Sequence, residues 1–589
     1  MKEILSGNEA IARGCYEYGV RVATAYPGTP STEILENVAK YPEIYKEWCP
    51  NEKVAMEVAI GATFEGARSL VAMKHVGLNV AADPFISVSL VGAPGGLIIV
   101  SADDPGMHSS QNEQDNRIYA RFAGYPCLEP SDSQESKDFV GEALKISIDY
   151  DVPVLLRMTT RVCHGKGIVQ TSERKEYPIK GFQRDPKKYV ILPSHARDLH
   201  VKAVARLARL EELAEKTSLN RLEQGSSDIG IITNGIAYQY VKEVMPDAWI
   251  LKLGMSYPLP MGKIKELASK VKKLFIVEEL EPFIEEQVKA QGIKCEGKKY
   301  WSNLGELSPD RVALGFYNAG IIKEKFEVKE KEDVVPRPPI FCPGCPHRGL
   351  FYNLNKLKAV VTTDIGCYTL GALPPISAGD TCVEMGASIG VGVGMAKARG
   401  DGKGIVATIG DSTFLHSGMT GLLNAVNDNA GITVVIADNS ITAMTGGQFH
   451  PGTGETLSGE NGTQVNLKKI CEALGVKRIR EVDTYDLEET KRVLKEEMET
   501  DELSVIITKR PCALFPPEMR KIVNQTPFTV DLEKCVGCKT CFKVACPAIG
   551  LSEEKTEKGL FKSNIDPALC TGCSVCAQVC PVGAIVPLK

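Results

Sequence analysis

Eight of the nineteen cysteines lie in the last 55 residues, in two groups. The first is Cys535, Cys538, Cys541 and Cys546, followed by Pro547; the second is Cys570, Cys573, Cys576 and Cys580, followed by Pro581. In a C-x2-C-x2-C-x3-C-P run, three thiolates on short turns reach three irons of one cubane, and the fourth ligates the other cluster of a pair. On that rule Cys535, Cys538, Cys541 and Cys580 hold one [4Fe-4S] cluster, and Cys570, Cys573, Cys576 and Cys546 hold the second. The first group has four residues between Cys541 and Cys546, one more than the pattern, which a bulge ahead of the fourth ligand would absorb. Zinc knuckles are the other use of C-x2-C spacing, but two complete sets ending in Cys-Pro favour clusters. A segment of roughly 60 residues has too little core to fold alone, so the clusters act as staples. Electron transfer is then part of the function.

A second constellation is built from oxygen. Residues 404–409 and 432–437 read as strands of a parallel α/β region spanning 336–515. The first runs into Gly410-Asp411-Ser412, and the second into Asp438-Asn439-Ser440-Ile441, with Asn439 placed 28 residues after Asp411. Ligands of open α/β sheets sit beyond the carboxyl ends of strands, where Asp411 and Asn439 could meet. A carboxylate, an amide oxygen and a backbone carbonyl suit Mg2+ whose remaining ligands are phosphate oxygens. Two unrelated strand-end turns are the plainer alternative. The arrangement resembles the thiamine diphosphate signature, Gly-Asp-Gly followed by Asn-Asn, with Ser412 in place of the third glycine and Asp438 in place of the first asparagine. The resemblance implies that Asp411 and Asn439 bind Mg2+ through side chains, that Ile441 does so through its carbonyl, and that Gly410 forms the turn. Met444-Thr445-Gly446-Gly447-Gln448 resembles the Thr-Gly-Gly-Gln run of 2-oxoacid:ferredoxin oxidoreductases, which places Gly446 at the cofactor. The Gly-x-Gly-x-Gly of Gly390, Gly392 and Gly394 lacks a leading strand and an acidic partner, so it reads as close helix packing.

Thiamine diphosphate must also be held at its pyrimidine, by an acid. Asn51-Glu52-Lys53-Val54-Ala55 opens a helix, and Gly61 follows Glu52 by nine residues. This resembles the catalytic-glutamate helix of thiamine enzymes and implies that role for Glu52, with Glu57 as second candidate. Otherwise Glu52 would serve only the helix dipole. Tyr26-Pro27-Gly28-Thr29-Pro30-Ser31 resembles the Tyr-Pro-x-Thr-Pro-Ser run of the ferredoxin-linked enzymes and implies that Thr29 approaches substrate, although the same residues make a Pro-rich turn. Residues 74–79 and 103–117 follow strand-like runs and would line a pocket. Within them His75 and His108 are candidates for acid/base or carboxylate-binding work, or for structural roles.

Cys342-Pro343-Gly344-Cys345, Cys367 and Cys512 resemble, in order, the four positions that hold the cluster nearest the thiamine in pyruvate:ferredoxin oxidoreductases. They imply a third [4Fe-4S] cluster. A thiol set packed against the cofactor is the equal alternative, and Cys382 could replace any member.

These residues must be positioned by several domains, because 589 residues exceed one core and roughly 100 to 200 residues per domain is usual. The expected division is 1–195 for pyrimidine binding, 196–330 as a domain resembling the transketolase C-terminal domain, 336–515 for thiamine diphosphate and Mg2+, and 525–589 for two clusters. Within the second, residues 229–232 and 274–277 read as strands. Residues 323–333 with Pro336, and 516–527, read as linkers. The fold class is therefore multidomain α/β, with two thiamine-binding parallel sheets, a transketolase C-terminal-like domain and a ferredoxin domain. Charged residues at 24% and a net charge of −5 favour neither nucleic acid nor an anionic membrane. The N-terminus lacks a signal-like apolar core and the run at 88–102 is broken by glycine and proline, so a cytoplasmic location is expected.

Motifs and order together resemble the alpha subunits of indolepyruvate ferredoxin oxidoreductases over essentially the whole chain, most specifically at the Cys-Pro-Gly-Cys-Pro-His run ending in His347. The resemblance implies oxidative decarboxylation of aryl 2-oxo acids with coenzyme A, electrons passing through the clusters to ferredoxin, and a smaller beta subunit in a hetero-oligomer. The alternatives are a ferredoxin oxidoreductase for another 2-oxo acid such as pyruvate, a non-oxidative thiamine decarboxylase, and a non-catalytic iron–sulfur subunit.

Overall fold

Aliphatic runs of five to seven residues, such as Leu97–Asp103 and Ser69–Lys74, are buried along nearly their whole length, as strands covered by helices on both faces must be. The computed structural model describes residues 1–324, 335, 338–514 and 525–588. They fall into two units, Met1–Val334 and Val335–Lys589. Of the expected linkers, residues 325–333, Pro336 and 516–524 lie outside the described residues.

The first unit is built on a seven-stranded sheet in the order Met255–Tyr257, Cys127–Leu128, Val154–Thr159, Leu97–Asp103, Ser69–Lys74, Val22–Ala25, Tyr45–Trp48. All are parallel except Met255–Tyr257, which pairs antiparallel at one edge. Ser6 starts the first helix, Gly7–Glu17, with a capping box: its hydroxyl accepts the Glu9 N–H at 3.2 Å, and the Glu9 carboxylate accepts the Ser6 N–H at 2.7 Å. Gly14 lets this helix lie on Ser133–Tyr150, since a Cβ there would stand 2.7 Å from the Lys137 carbonyl.

A four-stranded sheet, Lys273–Val277, Ile229–Asn234, Trp249–Leu253 and Asn220–Glu223, completes this unit, the last strand being antiparallel. Buried ion pairs brace the sheets, Arg117 between the two and Arg157 within the first. Arg117 donates to Asp115 at 2.5 Å, to Glu278 at 2.7 Å and to the Glu279 carbonyl at 2.9 Å, while Arg157 donates to Asp103 at 2.6 Å and to Glu129.

The second unit holds a six-stranded, wholly parallel sheet in the order Thr381–Cys382, Val360–Thr363, Ile405–Gly410, Thr433–Asp438, Ser504–Lys509, Arg478–Val482. Ile405, Ala407 and Ile409 pack on one face and Val406 on the other, the alternation that strand pleating dictates. Gly392, in helix Ala387–Arg399, turns to the sheet, where a Cβ would meet Thr362 Oγ1 at 3.3 Å, so this glycine serves packing.

Two small sheets, Phe528–Val530 with Ile585–Pro587 and Ile549–Lys555 with Phe561–Ile565, frame the C-terminal cysteines. Their core is Val530, Val544, Ile549, Ile565, Val575 and Ile585, with the cysteines packed around it. Among the described residues no helix is long and apolar enough to cross a membrane.

Candidate active site and cluster cysteines

Strands Val22–Ala25, Tyr45–Trp48 and Ser69–Lys74 are parallel neighbours, so the segments that leave their C-terminal ends gather at one edge of the sheet. Those segments carry Thr29, Glu52 and His75. Asn51 caps helix Glu52–Phe64 by accepting the Val54 N–H at 2.9 Å, which sets Glu52 in the first turn. The Glu52 side chain is buried against Gly77, where a Cβ would come within 2.6 Å of Oε1. Gly28, next to the half-buried Thr29, makes equal room for Lys74, at 2.9 Å from Cβ to Cβ.

Lys74 donates to the Ser109 carbonyl at 2.6 Å, and burial, opposed by Asp104, pulls its ammonium down to about 8. His75 is fully buried, with Nε2 2.9 Å from Asn112 Oδ1 and Nδ1 without a partner among the described residues. His108 is brought elsewhere: it is half-exposed, 3.6 Å from Glu306. Glu57 pairs with Lys53 on the outer face of its helix.

In the second unit Asp411 and Asn439 leave adjacent parallel strands, Ile405–Gly410 and Thr433–Asp438. Asp411 accepts the Ser412 N–H at 2.9 Å and lies 3.2 Å from His450 Nε2. Burial works most strongly against its charge, but the His450 bond and charge, the Ser412 N–H and the contact with Asp438 together hold the carboxyl below the usual range. Burial, and then the charge of Asp411, push the Asp438 carboxyl up to about 6. Two carboxyl groups thus act on each other at one site, a donor pair that suits a divalent ion.

Asn439 Oδ1 accepts the N–H of buried Ile441 at 3.3 Å, and its Nδ2 lies 3.4 Å from His347 Nε2. Burial lowers His347 to about 4 despite Asp411, so the imidazole is neutral and accepts from that amide. At Gly410 a Cβ would stand 2.7 Å from the Tyr368 ring. Gly446 and Gly447 take φ of 122° and 94° in a turn whose Gly447 and Gln448 N–H groups both donate to the Thr442 carbonyl, a conformation that requires glycine.

Cysteines of the two C-terminal runs lie near one another, with Cys541 of the first run also close enough to act on Cys576 of the second. Burial raises Cys573, and Cys546 and Cys570 are near enough for their charge to add; Cys576 senses Cys573, Cys546 and Cys570, and Cys541 senses Cys538 and Cys535. The extra residue before Cys546 is taken up by Ala545, whose φ of 52° follows a 3-10 turn at Thr540–Val544, whereas the second run uses an α-turn at Val575–Gln578. Sulfur also receives hydrogen bonds, from the Phe528 N–H to Cys570 and from the Ala584 N–H to Cys580, each at 3.3 Å.

Cys342, Cys345, Cys367 and Cys512 also come together. Burial, then the charges of Cys512 and Cys342, push Cys367 up to about 11, and Cys345 senses Cys367 and Cys342. The Cys512 N–H donates to the Asn439 carbonyl at 2.9 Å, which joins this thiol group to the oxygen site. Cys382 lies instead beside Thr363, Asp364 and Thr369. Among the described residues no three His, Cys, Asp or Glu are set to hold a metal ion.

Residues 13–207 match the family described as pyruvate flavodoxin/ferredoxin oxidoreductase, thiamine diphosphate-binding. Residues 364–508 match the thiamine pyrophosphate enzyme C-terminal TPP-binding domain, and 534–584 the 4Fe-4S dicluster domain. Indolepyruvate oxidoreductase subunit IorA of Pyrococcus horikoshii is 42% identical over 100% of this chain and 97% of its own. The same-named subunit of Methanothermobacter thermautotrophicus is 41% identical over the same shares. The chain belongs to this family. As a member of the IorA family it is an oxidoreductase of the thiamine diphosphate-dependent 2-oxoacid:ferredoxin type, and it carries [4Fe-4S] clusters. A solved 2-oxoglutarate:ferredoxin oxidoreductase from Magnetococcus marinus aligns over 54% of this chain and 65% of its own at 17% identity, with a TM-score of 0.46. The IorA relatives are named as subunits, the mark of a multi-subunit oxidoreductase.

Sequence reasoning placed Lys74 only among pocket-lining residues and named no role for Asp438, His347 or His450. The available signals were a lysine at the end of an apolar strand and a histidine just after each of two motifs already read, Cys-Pro-Gly-Cys-Pro and Thr-Gly-Gly-Gln.

Proposed function

We propose that this chain is the catalytic subunit of an indolepyruvate:ferredoxin oxidoreductase, which converts an aryl 2-oxo acid and coenzyme A to acyl-CoA, CO2 and a proton while electrons leave through its clusters to ferredoxin. The observation that carries the catalytic reading is the buried Glu52 held against Gly77 in one unit, with buried Asp411 and Asn439 beside half-buried Asp438 at the strand ends of the other. The aryl preference rests on what the relatives are named for.

Thiamine diphosphate, when bound, supplies the carbanion for the 2-oxo carbon and the electron sink once CO2 leaves. Glu52 holds a proton at its carboxyl for the pyrimidine. Thr29 and Lys74 hold the substrate carboxylate, and His75 moves a proton at its unmet Nδ1. Asp411, the Asn439 amide oxygen and the Ile441 carbonyl hold Mg2+, Gly410 and Gly446 let the backbone approach the cofactor, and His347 keeps the Asn439 amide in one orientation.

Cys535, Cys538, Cys541 and Cys580 hold one cluster, and Cys546, Cys570, Cys573 and Cys576 the second. Cys342, Cys345, Cys367 and Cys512 hold a third beside the thiamine site. In this reading 1–195, 196–330, 336–515 and 525–589 act as separate domains, a smaller beta subunit completes the enzyme, and the cytoplasm, where thiols stay reduced, is its compartment.

The test is coenzyme-A-dependent viologen or ferredoxin reduction by anaerobically purified chain with its partner. Indolepyruvate and phenylpyruvate are expected to outpace pyruvate and 2-oxoglutarate. Turnover of pyruvate alone would overturn the aryl preference, and aldehyde release without an acceptor would overturn the oxidative reading.

A further inference from the structure

Arg348 follows the Cys342-to-His347 run, and its side chain is 1% exposed. The guanidinium donates to the carbonyls of Phe341 at 2.9 Å, Cys342 at 2.7 Å and Val544. Phe341 and Cys342 belong to the loop that carries Cys345, whereas Val544 ends the turn that leads to Cys546. One side chain thus clamps two thiol-bearing loops together.

The three bonds use only the two terminal nitrogens. Of the two N–H groups left over, Nε–H is buried on a nitrogen with no acceptor among the described residues, a costly state for an N–H group. A second unmet donor lies on the same seam: the Thr571 hydroxyl, between Cys570 and Cys573, is buried without a partner among the described residues. Gly344 backs onto it, since a Cβ there would stand 2.3 Å from Thr571 Oγ1. Tyr485 closes the seam, donating its hydroxyl to the Gly344 carbonyl at 2.6 Å and accepting at its own carbonyl from the Gln578 amide at 2.7 Å. Both donors lie on the seam between thiol-bearing loops, where the sulfur of a bound cluster would supply an acceptor.

We propose that Arg348 is a positioning residue that donates its Nε–H, and lends its charge, to the cluster held by Cys546, Cys570, Cys573 and Cys576, raising that cluster's reduction potential. The proposal rests on the ligand set given under the proposed function. Taking up one electron, which the 2-oxo acid supplies, makes the cluster more negative, and a buried cation with an N–H donor stabilises that reduced form. Hydrogen bonds to sulfur and local charge are the protein's means of setting such potentials.

The test is an EPR-monitored redox titration of the anaerobically purified enzyme, full chain with its partner, as wild type, Arg348→Gln and Arg348→Lys, with iron and sulfide determined on each. At a fixed potential the reduced-to-oxidised ratio of one cluster should fall about tenfold in Arg348→Gln, 59 mV for a one-electron couple, while the other cluster of the module is unmoved. Arg348→Lys, which keeps the charge, should recover most of the shift. An unshifted Arg348→Gln protein with full iron and sulfide would overturn the proposal, and so would loss of the clusters in both variants, which would leave Arg348 a clamp alone. A wild type without these reducible clusters would instead overturn the ligand set beneath it.

Discussion

The residues proposed to perform chemistry here are held by what their neighbours lack. Glu52 is buried because residue 77 has no side chain, so Gly77→Ala is expected to displace the carboxylate, cost about 1–3 kcal/mol through overpacking and lower turnover with it. Glu52→Gln keeps the shape and removes the acid. It should lower kcat by about 10²–10⁴ with iron content and fold unchanged, measured by steady-state viologen reduction beside an iron assay. A Gly77→Ala enzyme with wild-type turnover would separate Glu52 from the chemistry. The cluster cysteines were readable in advance because a run of short turns makes their separation in sequence almost their separation in space. Asp438 and His450 were not, since the one meets Asp411 across neighbouring strands and the other reaches it from 39 residues away.

At the scale of elements, strands with uninterrupted aliphatic runs were legible and those with polar interruptions were not. Trp249–Leu253 holds Lys252, fully buried and bonded to Glu135 at 2.5 Å, and Asn220–Glu223 is a polar edge strand. Both look like surface segments until the acid that receives the lysine, or the neighbour that pairs the edge, is in place. Glu279, after strand Lys273–Val277, shows the cost of such burial. Its carboxyl accepts the Leu307 N–H at 2.9 Å, and burial pushes it up from an ordinary 4.5 to about 7.

Between those values the folded chain binds a proton that the unfolded chain has released. The associated stability is present below about pH 4.5 and is lost as pH rises through about 7. Glu279→Gln, which still accepts from Leu307, should be more stable than wild type at pH 8 by about 3 kcal/mol, at 1.36 kcal/mol per pH unit, with no difference near pH 4.5. Denaturation midpoints across that range check this, and parallel profiles for the two proteins would refute it.

On the scale of the whole molecule, the chain carries thiamine-binding elements and an electron relay on one polypeptide, in the order its IorA relatives share. The module order was legible because each carries its own local motif; the grouping of Cys342 and Cys345 with Cys367 and Cys512 was legible only through a family resemblance, because it needs two strand ends to close on the first loop. Fully loaded enzyme should contain about twelve irons per chain, four to a cluster, and a plateau at about eight would remove the cluster at these four cysteines. The most direct measurement of the central claim is rapid-freeze EPR after anaerobic mixing of the holoenzyme with indolepyruvate and coenzyme A. Reduced [4Fe-4S] signals should grow within one turnover in wild type and be absent over that time in Glu52→Gln. Clusters that dithionite reduces but indolepyruvate leaves oxidised in wild type would contradict the account.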